Sequence, residues 1–500
     1  MSFSPCNYNT SDISTFELHV DSMLPKRIND PIHGLMEFDD WVIQFIDTPH
    51  FQRLRNIKQL GTTYYVFPGA SHNRFEHSIG VAHLAYSLVK GLQDRQPDLE
   101  VEKDLECVTL AALCHDLGHG PFSHAFDNEV IPRTRPNIEW KHEIGSEKMF
   151  DHLLETNEID FELGTDDVKF IKALIAGDWS KCPNRSRYLF DVVANKRNSI
   201  DVDKFDYLER DCYYLGMKSV FDFSRLMRYS RVVDEQIAYY FKECYNIYEL
   251  FQTRYSLHKQ VYNHRVGKAI EYMLCDALVE ADSILGISKS IDNPEDYLQL
   301  NDTILNQIEF SKEPGLAKSR EIINRIRTRK LYKFVDEYLV SDELKDHLTE
   351  QKINAREIIA HQGENDRLEE DDIIVDRLKL NYAMNDKNPV DYVKFYNQYN
   401  LDETFNLTKS QVSYFVPEKY EEISIRIFAR KPEKMKPIQE CFRKLLKIHA
   451  PHNTIPNEEI TPSRGYTLPE VYETSKKRRH SSQSSNDQRI SKHRVSIINS

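Results

Sequence analysis

Five hundred residues, 40% of them hydrophobic, are enough for one large core with a smaller lobe attached, and no internal repeat divides them. A net charge of −13 excludes a general polyanion binder and leaves only local basic pockets for anionic ligands. The eight cysteines form no CxxC pair, no signal-peptide pattern opens the chain and no apolar run reaches membrane-span length; a soluble protein of a reducing, intracellular compartment with no membrane partner is expected.

In chain order, residues 1–25 read as a flexible arm. Helical spacing dominates from Asp39 to about Asp282, for instance over 81–89 and the long stretch 247–280, which describes an all-helical catalytic body within 26–340. A polar stretch near 288–302 reads as an inserted loop, and 316–340 returns to helix. Charge-rich 350–372 is a second loop. Short β-like segments follow at 373–380 and 423–428, where Ile423, Ile425 and Ile427 alternate with polar residues, so 341–460 is expected to form a small mixed α+β lobe. Beyond Thr461 apolar residues thin out while Ser, Lys and Arg accumulate; that composition does not cover its ordering entropy, and 461–500 is expected to be a disordered basic tail. The fold class is mainly α.

The chemistry concentrates in Cys114-His115-Asp116-Leu117-Gly118-His119-Gly120-Pro121-Phe122-Ser123-His124. Apolar residues at helical spacing precede it (Leu105, Val108, Ala112, Leu113), and Gly118 with Gly120 is expected to break that helix, leaving His115 and Asp116 on its last turn. Adjacent helical residues point about 100° apart, so both reach one ion only if it sits off the helix end and other ligands arrive from elsewhere. Two segments offer them: His72-Asn73-Arg74-Phe75-Glu76-His77 upstream, and Ser199-Ile200-Asp201-Val202-Asp203-Lys204-Phe205-Asp206-Tyr207 downstream. Two imidazoles and two carboxylates (His77, His115, Asp116, Asp203) make a mixed nitrogen and oxygen set that suits zinc, iron, manganese or magnesium alike. Lack of a fourth nitrogen or sulfur ligand disfavours a closed structural zinc site.

These contexts, together with the blocks Lys26-Arg27-Ile28-Asn29-Asp30-Pro31-Ile32-His33-Gly34, Phe51-Gln52-Arg53-Leu54-Arg55, Tyr64-Tyr65-Val66-Phe67-Pro68-Gly69-Ala70-Ser71 and Asn195-Lys196-Arg197-Asn198, carry a family resemblance. The chain resembles the HD-domain deoxynucleoside triphosphate triphosphohydrolases, in particular the eukaryotic branch whose vertebrate form carries a SAM domain ahead of the HD domain. The likeness is dense from Lys26 to Asp282 and traceable to about Thr461. Only 25 residues precede Lys26, too few for a SAM domain, which is expected to be absent.

The resemblance implies an HD-type helical phosphohydrolase body, metal ligation by His77, His115, Asp116 and Asp203, and cleavage of a dNTP at the α-phosphorus to deoxynucleoside and inorganic triphosphate. It places His124 beside the leaving oxygen as general acid with Asp127 to orient it, a role that suits an imidazolium. His119, His142 and Glu143 become phosphate and supporting partners. Arg74 and Lys204 are cations beside metal ligands, as charge stabilisation on a triphosphate requires. Leu60 and Tyr262 would wall the sugar against a 2′-hydroxyl, while Gln59, Tyr207 and Asp211 would bond the 3′-hydroxyl. Asn263 stands where close relatives have Gln, which leaves base selectivity open.

A second constellation comprises Lys26, Asn29, Asp47, Gln52 and Arg55. A carboxylate such as Asp47 can accept from both the ring N–H and the exocyclic amine of guanine, while Lys26 and Arg55 hold phosphate. By resemblance this is a GTP/dGTP activator site, and neighbouring activator contacts, including those to a dNTP, map to Asp222, Arg225, Lys242, Asn246, His264, Arg265, Arg329, Lys333 and Lys409. Tyr240 and Gln260 replace basic residues of close relatives there.

The expected function is a metal-dependent, guanine-nucleotide-activated dNTP triphosphohydrolase that lowers cellular dNTP pools as a homotetramer. The alternatives are an HD phosphohydrolase of another substrate class and a single-stranded nucleic acid binder that retains the HD fold. The basic clusters Lys476-Lys477-Arg478-Arg479 and Lys492-His493-Arg494 point to nuclear import. Thr461-Pro462-Ser463-Arg464 matches a cyclin-dependent kinase substrate, with Arg329-Lys330-Leu331-Tyr332 resembling a cyclin-docking sequence.

Overall fold

The computed structural model describes residues 25–450; the expectations for residues 1–24, for Thr461 and for the basic tail lie outside them. Long apolar spacing becomes helix: Arg74–Arg95, Asp104–Cys114, His142–Thr156, Thr165–Ala176 and Val202–Leu215. The Arg74 helix starts where Glu76 accepts from the Asn73 N–H at 2.7 Å, tying down its first turn. One side of it packs on the Asp104 helix, which is buried from Cys107 to Cys114, and another on the Val202 helix. The three helices therefore bring His77, His115 and Asp203 to one place.

The body is not all helical. Strands β1 (Lys26–Asp30) and β2 (Gly34–Phe38) form a hairpin, and β3 (Ser230–Val233) and β4 (Gln236–Tyr240) form another. The second closes through Asp234 and Glu235 at φ 50° and 56°, the paired left-handed residues that a two-residue turn requires. The helix expected over 247–280 is also interrupted. Cys244–Leu257 runs into a π-turn, His258–Tyr262, before Arg265–Leu285 restarts on the His264 side chain, whose Nδ1 accepts from Val266 N at 3.3 Å.

Residues 316–340 are half helix and half strand. Ala317–Arg327 ends before Arg329, which takes φ 60°, and β5 (Lys333–Val340) follows. The expected loop over 288–302 contains a short helix, Pro294–Leu298, and its buried Tyr297 donates to the Gly118 carbonyl at 2.7 Å. Strands β6 (Ile373–Asn381) and β9 (Glu421–Ala429) appear where alternation foretold them, in an antiparallel sheet of order β5-β9-β6. The helix Met435–His449 packs beside it through Ile438, Phe442 and Leu445. Strands β7 (Lys394–Asn397) and β8 (Asn400–Phe405) extend the β3-β4 hairpin, with β4 and β7 parallel from Ala238↔Lys394. The fold is mainly α with a mixed C-terminal region, as the sequence led one to expect.

Among the described residues no helix is long and apolar enough to cross a membrane. All seven described cysteines are buried and unpaired. Burial pushes the Cys212 thiol up to about 12, so proximity to the site does not make it reactive. Leu331, the leucine of the docking-like motif, is 7% exposed and is not offered to a partner.

Candidate active site

The Asp104 helix stops at Cys114, and His115 and Asp116 follow off its end. Gly118 and Gly120 act through space and not through left-handed backbone. A Cβ on Gly118 would come within 2.1 Å of the His142 carbonyl oxygen, and one on Gly120 within 2.3 Å of the Phe126 ring. The buried Arg53 guanidinium clamps the same loop, donating to the carbonyls of Leu117 (3.1 Å), His119 (2.8 Å) and Leu300 (2.8 Å). Phe122 and Ser123 then take φ 60° and 59°, a strained pair that immediately precedes His124. Asp302 accepts from Phe122 N at 2.7 Å and Lys58 N at 2.9 Å, and Ser123 Oγ donates to the Lys58 carbonyl at 2.9 Å. His124 is thus aimed by a braced, irregular turn.

The four proposed metal ligands converge. His77 Nε2 lies 3.2 Å from Asp203 Oδ1 and 3.5 Å from Asp116 Oδ2; His115 Nε2 lies 3.4 Å from Asp116 Oδ1 and 3.6 Å from Asp203 Oδ1. Each ring is held by its other nitrogen: His77 Nδ1 contacts Asp206 Oδ2 and His115 Nδ1 the Ala112 carbonyl, both at 2.7 Å. His115 Nε2 is buried with no hydrogen-bond partner. Burial alone would lower the His77 pKa, but Asp203 and Asp206 raise it to about 10, and Asp116 and Asp203 likewise raise His115 against its burial. Asp116 stays ionised because Arg74, His115 and His119 override the burial that would raise it. The set thus attracts positive charge, holds its rings by carboxylate and carbonyl, and leaves one ring nitrogen unmatched; these residues fit a divalent or transition metal ion.

Behind them lies a buried network. Arg210 donates to Asp206 (2.9 and 2.8 Å) and to Asp30 (2.8 and 3.3 Å), and His33 Nε2 meets Asp206 Oδ1 at 2.7 Å. Gly80 makes room for it, since a Cβ there would come within 2.0 Å of Asp206 Oδ1.

Next to the metal set, His119 stacks on His142 at 3.9 Å, and His124 stands edge-on to both, at 5.0 and 5.4 Å. Asp127 Oδ2 lies 3.1 Å from His142 Nδ1 and 4.0 Å from His119 Nδ1, so in this state it holds His142 and not His124. Glu143 reaches His142 at 3.6 Å. His124 is exposed at the cavity, yet desolvation by the groups around it, then the charges of His142 and Arg74, lower it to about 4, while Asp127 and Glu143 raise His142 against its own burial. Arg74 bonds Asp116 through Nη1 and Ser123 Oγ through Nε (2.8 Å).

His77, His115, Asp116, Asp203, Arg74, His119, His124 and His142 border a cavity of about 440 Å³ that also meets Gln59, Leu60, Tyr207, Asp211, Tyr262 and Asn263. Asp211 is held by Tyr262 Oη and by His72 Nε2 (2.6 Å), while Gln59 Oε1 is buried without a partner. Asn263 donates to the His258 carbonyl at 3.0 Å. Lys204 is tied to Asp201 at 3.2 Å and, like Glu143, faces a neighbouring cavity. Sequence reasoning missed Arg254, His258, Lys268, Glu271 and Asn128, which border the main cavity too. The four-residue spacing of Arg254, His258 and Tyr262 was the available signal. A cavity of similar size, about 470 Å³, lies among Leu339, Leu380 and Tyr382 and meets none of the histidine clusters among the described residues.

The activator candidates stand on the surface in separate groups. Lys26, Asn29, Asp47 and Arg55 are exposed; Arg55 Nε donates to Gln52 Oε1 at 2.7 Å and stacks over Phe75. Asp222 and Asn246 exchange hydrogen bonds of 2.8 and 2.9 Å beside Arg225, which pairs with Glu243, and beside exposed Lys242. Arg265 pairs with Glu337 at 3.1 Å near half-buried His264 and Lys333; Arg329 donates to the Tyr65 carbonyl at 3.1 Å and Lys409 to that of Pro417 at 2.7 Å.

Comparison with known proteins agrees with this geometry. The HD domain model matches residues 74–211 and the HD associated region model matches 221–455. The deoxynucleoside triphosphate triphosphohydrolase SAMHD1 homolog of Dictyostelium discoideum is 49% identical over 447 residues, covering 89% of this chain and 85% of its own. SAMHD1 of Bos taurus is 43% identical (82% and 75% covered) and that of Homo sapiens 42% (84% and 72%). The chain belongs to the SAMHD1-type family of HD-domain deoxynucleoside triphosphate triphosphohydrolases.

Proposed function

We propose that this protein hydrolyses dNTPs to deoxynucleoside and inorganic triphosphate. The observation that carries the reading is the convergence of His77, His115, Asp116 and Asp203 on one wall of a cavity whose other wall holds Tyr262 and Asp211. A metal ion held by those four residues would supply Lewis acidity at the α-phosphate and lower the pKa of the attacking water.

The chain's own groups account for the rest. Arg74 sits against Asp116 with its guanidinium facing the cavity, where it neutralises charge developing on the α-phosphate. Tyr262 Oη donates to Asp211, and with Leu60 they line the part of the cavity that would take the sugar and disfavour a 2′-hydroxyl. Gln59 Oε1, unmatched in the cavity wall, awaits a donor such as the 3′-hydroxyl. Its surroundings lower the His124 pKa in the free protein; a bound triphosphate adds the negative charge that raises it, and His142, raised by Asp127 and Glu143, stands edge-on beside it. His124 then donates to the departing 5′-oxygen.

The same reading includes activation by guanine nucleotides at Lys26, Asp47 and Arg55, assembly as a homotetramer, a nuclear location and a lowering of dNTP pools. The experiment is incubation of the metal-loaded protein with each dNTP, with and without GTP, and chromatographic identification of products. Inorganic triphosphate with deoxynucleoside is expected. Release of pyrophosphate or monophosphate, or turnover of ribonucleotides alone, would overturn it.

A further inference from the structure

Of the block Asn195-Lys196-Arg197-Asn198, three residues build the fold. Asn195 donates to Asn198 Oδ1 at 2.8 Å and to the Ile200 carbonyl at 3.0 Å, and its backbone N–H donates to Asp201 at 3.1 Å. That turn sets Asp201, whose side chain accepts from Lys204 N and so caps the helix that carries Asp203 and Lys204. Arg197 lies 3.3 Å from buried Asp191 and donates to the Glu235 carbonyl at 2.8 Å. Lys196 is different: it is exposed, and among the described residues it makes no hydrogen bond or ion pair. Its stem crosses Gly177, where a Cβ would come within 2.9 Å of Lys196 Cε.

Lys196 stands between two cavities. One, of about 310 Å³, shares His115, His142 and Asp203 with the main cavity and adds Lys204 and Lys196. The other, of about 250 Å³, begins at Lys196 and opens past Arg197 and Arg187, whose guanidinium lies 5.1 Å over Trp179. Of the carboxylates along the way, Asp201 is matched by Lys204, Asp191 by Arg197 and the Ile237 N–H, and Glu143 by His142, while Asp178 in the outer cavity accepts from Ser180 N at 3.0 Å and Ser180 Oγ at 2.6 Å. Among the described residues, what remains without a carboxylate partner is Lys196 and then Arg187, which stand beyond the Lys204–Asp201 pair on the way from the metal set to the surface of a chain whose net charge is −13.

We infer that this route is an exit path for a polyanionic product, inorganic triphosphate, separate from the mouth through which the nucleoside enters and leaves. The inference rests on the proposed function. Lys196 is a positioning residue of the path, drawing the anion outward by field alone.

The test measures association and dissociation of labelled tripolyphosphate on the metal-loaded protein by stopped flow, alongside dNTP association, for wild type, Lys196→Glu and Lys196→Arg. By microscopic reversibility the exit is also the entrance for added tripolyphosphate. Lys196→Glu is expected to slow both tripolyphosphate rates roughly three- to tenfold, the scale of reversing one charge on a steering path, with the difference shrinking in about 0.5 M salt. Lys196→Arg should keep wild-type rates and dNTP association should not change. Unchanged tripolyphosphate rates, equal slowing of dNTP association, or no binding of tripolyphosphate by wild type would each overturn the path. Single-turnover cleavage is recorded separately: failure to form triphosphate removes the proposed function, whereas normal cleavage with unaltered tripolyphosphate rates removes only the path.

Discussion

Asp206 Oδ2 accepts from His77 Nδ1 at 2.7 Å, which turns the opposite nitrogen of that ring toward Asp203 and Asp116. Asp206 ligates nothing itself; it decides which atom of His77 is free to ligate. Asp206→Asn should therefore lower metal affinity about 10- to 100-fold. It should also destabilise the fold by about 3 kcal/mol, since buried Arg210 would keep only Asp30 as a charged partner. Metal titration and thermal melting of the metal-free protein read the two effects separately, and an unchanged metal affinity would sink the positioning role.

Gly80 tests the same network from the other side. In a helix interior, Gly→Ala ordinarily stabilises by about 0.5–1 kcal/mol. Here the added methyl would press on Asp206 Oδ1 at 2.0 Å and on Arg210 Nη2 at 2.6 Å. Gly80→Ala is expected to reverse the usual sign, lowering stability and metal affinity together. A melting temperature equal to or above wild type would show that the helix can shift to admit the methyl.

The grouping of His77, His115, Asp116 and Asp203 was legible in the sequence because these residues sit on strong helices or at a helix end, with polar residues where apolar periodicity would otherwise continue. Strands β6 and β9 were legible through alternation. What was not legible depended on tertiary context. The π-turn that re-aims His258 and Tyr262 has no local signature distinct from the helices either side of it. The β3-β4 hairpin hid in apolar residues that read equally as helix until its partner β7 is known. The opposite pKa shifts of His124 and His142 need the positions of Asp127, Glu143 and Arg74, which no spacing supplies.

Asp203→Asn keeps side-chain volume but removes the charge of one proposed metal ligand. Bound metal and turnover should both be lost while the circular dichroism of the helices is retained, since Asp203 lines both cavities and Asn keeps its volume. Turnover at wild-type level after metal depletion would refute its assignment.

His50 provides a pH prediction away from the site. It is 2% exposed, and its Nε2 meets His152 Nδ1 at 2.8 Å. Burial first, then His152 and Arg53, lower it from 6.5 to about 4. A lowered histidine binds its proton more readily in the unfolded chain, so the stability it permits is complete above about pH 6.5 and is lost as pH falls toward 4. His50→Gln should flatten that acid limb: the variant's stability relative to wild type should rise between pH 7 and pH 4.5 in urea titrations. A constant difference across that range would show that His50 titrates normally.

His124 and His142 divide a task that looked like one residue's. His124→Ala removes the donor to the leaving oxygen and should slow single-turnover cleavage about 10²- to 10⁴-fold, the range for loss of a general acid, with metal content unchanged. Asp127→Asn leaves His124 in place but removes a charged partner of His142, at 3.1 Å. With less to hold its proton, His142 should titrate at lower pH, and the alkaline fall in single-turnover rate should move to lower pH by a measurable step while the rate at the optimum changes less than for His124→Ala. Had Asp127 acted by orienting His124, Asp127→Asn would reduce the rate at every pH without moving the profile. The pH profile, and not the size of the rate loss, therefore decides between the two arrangements.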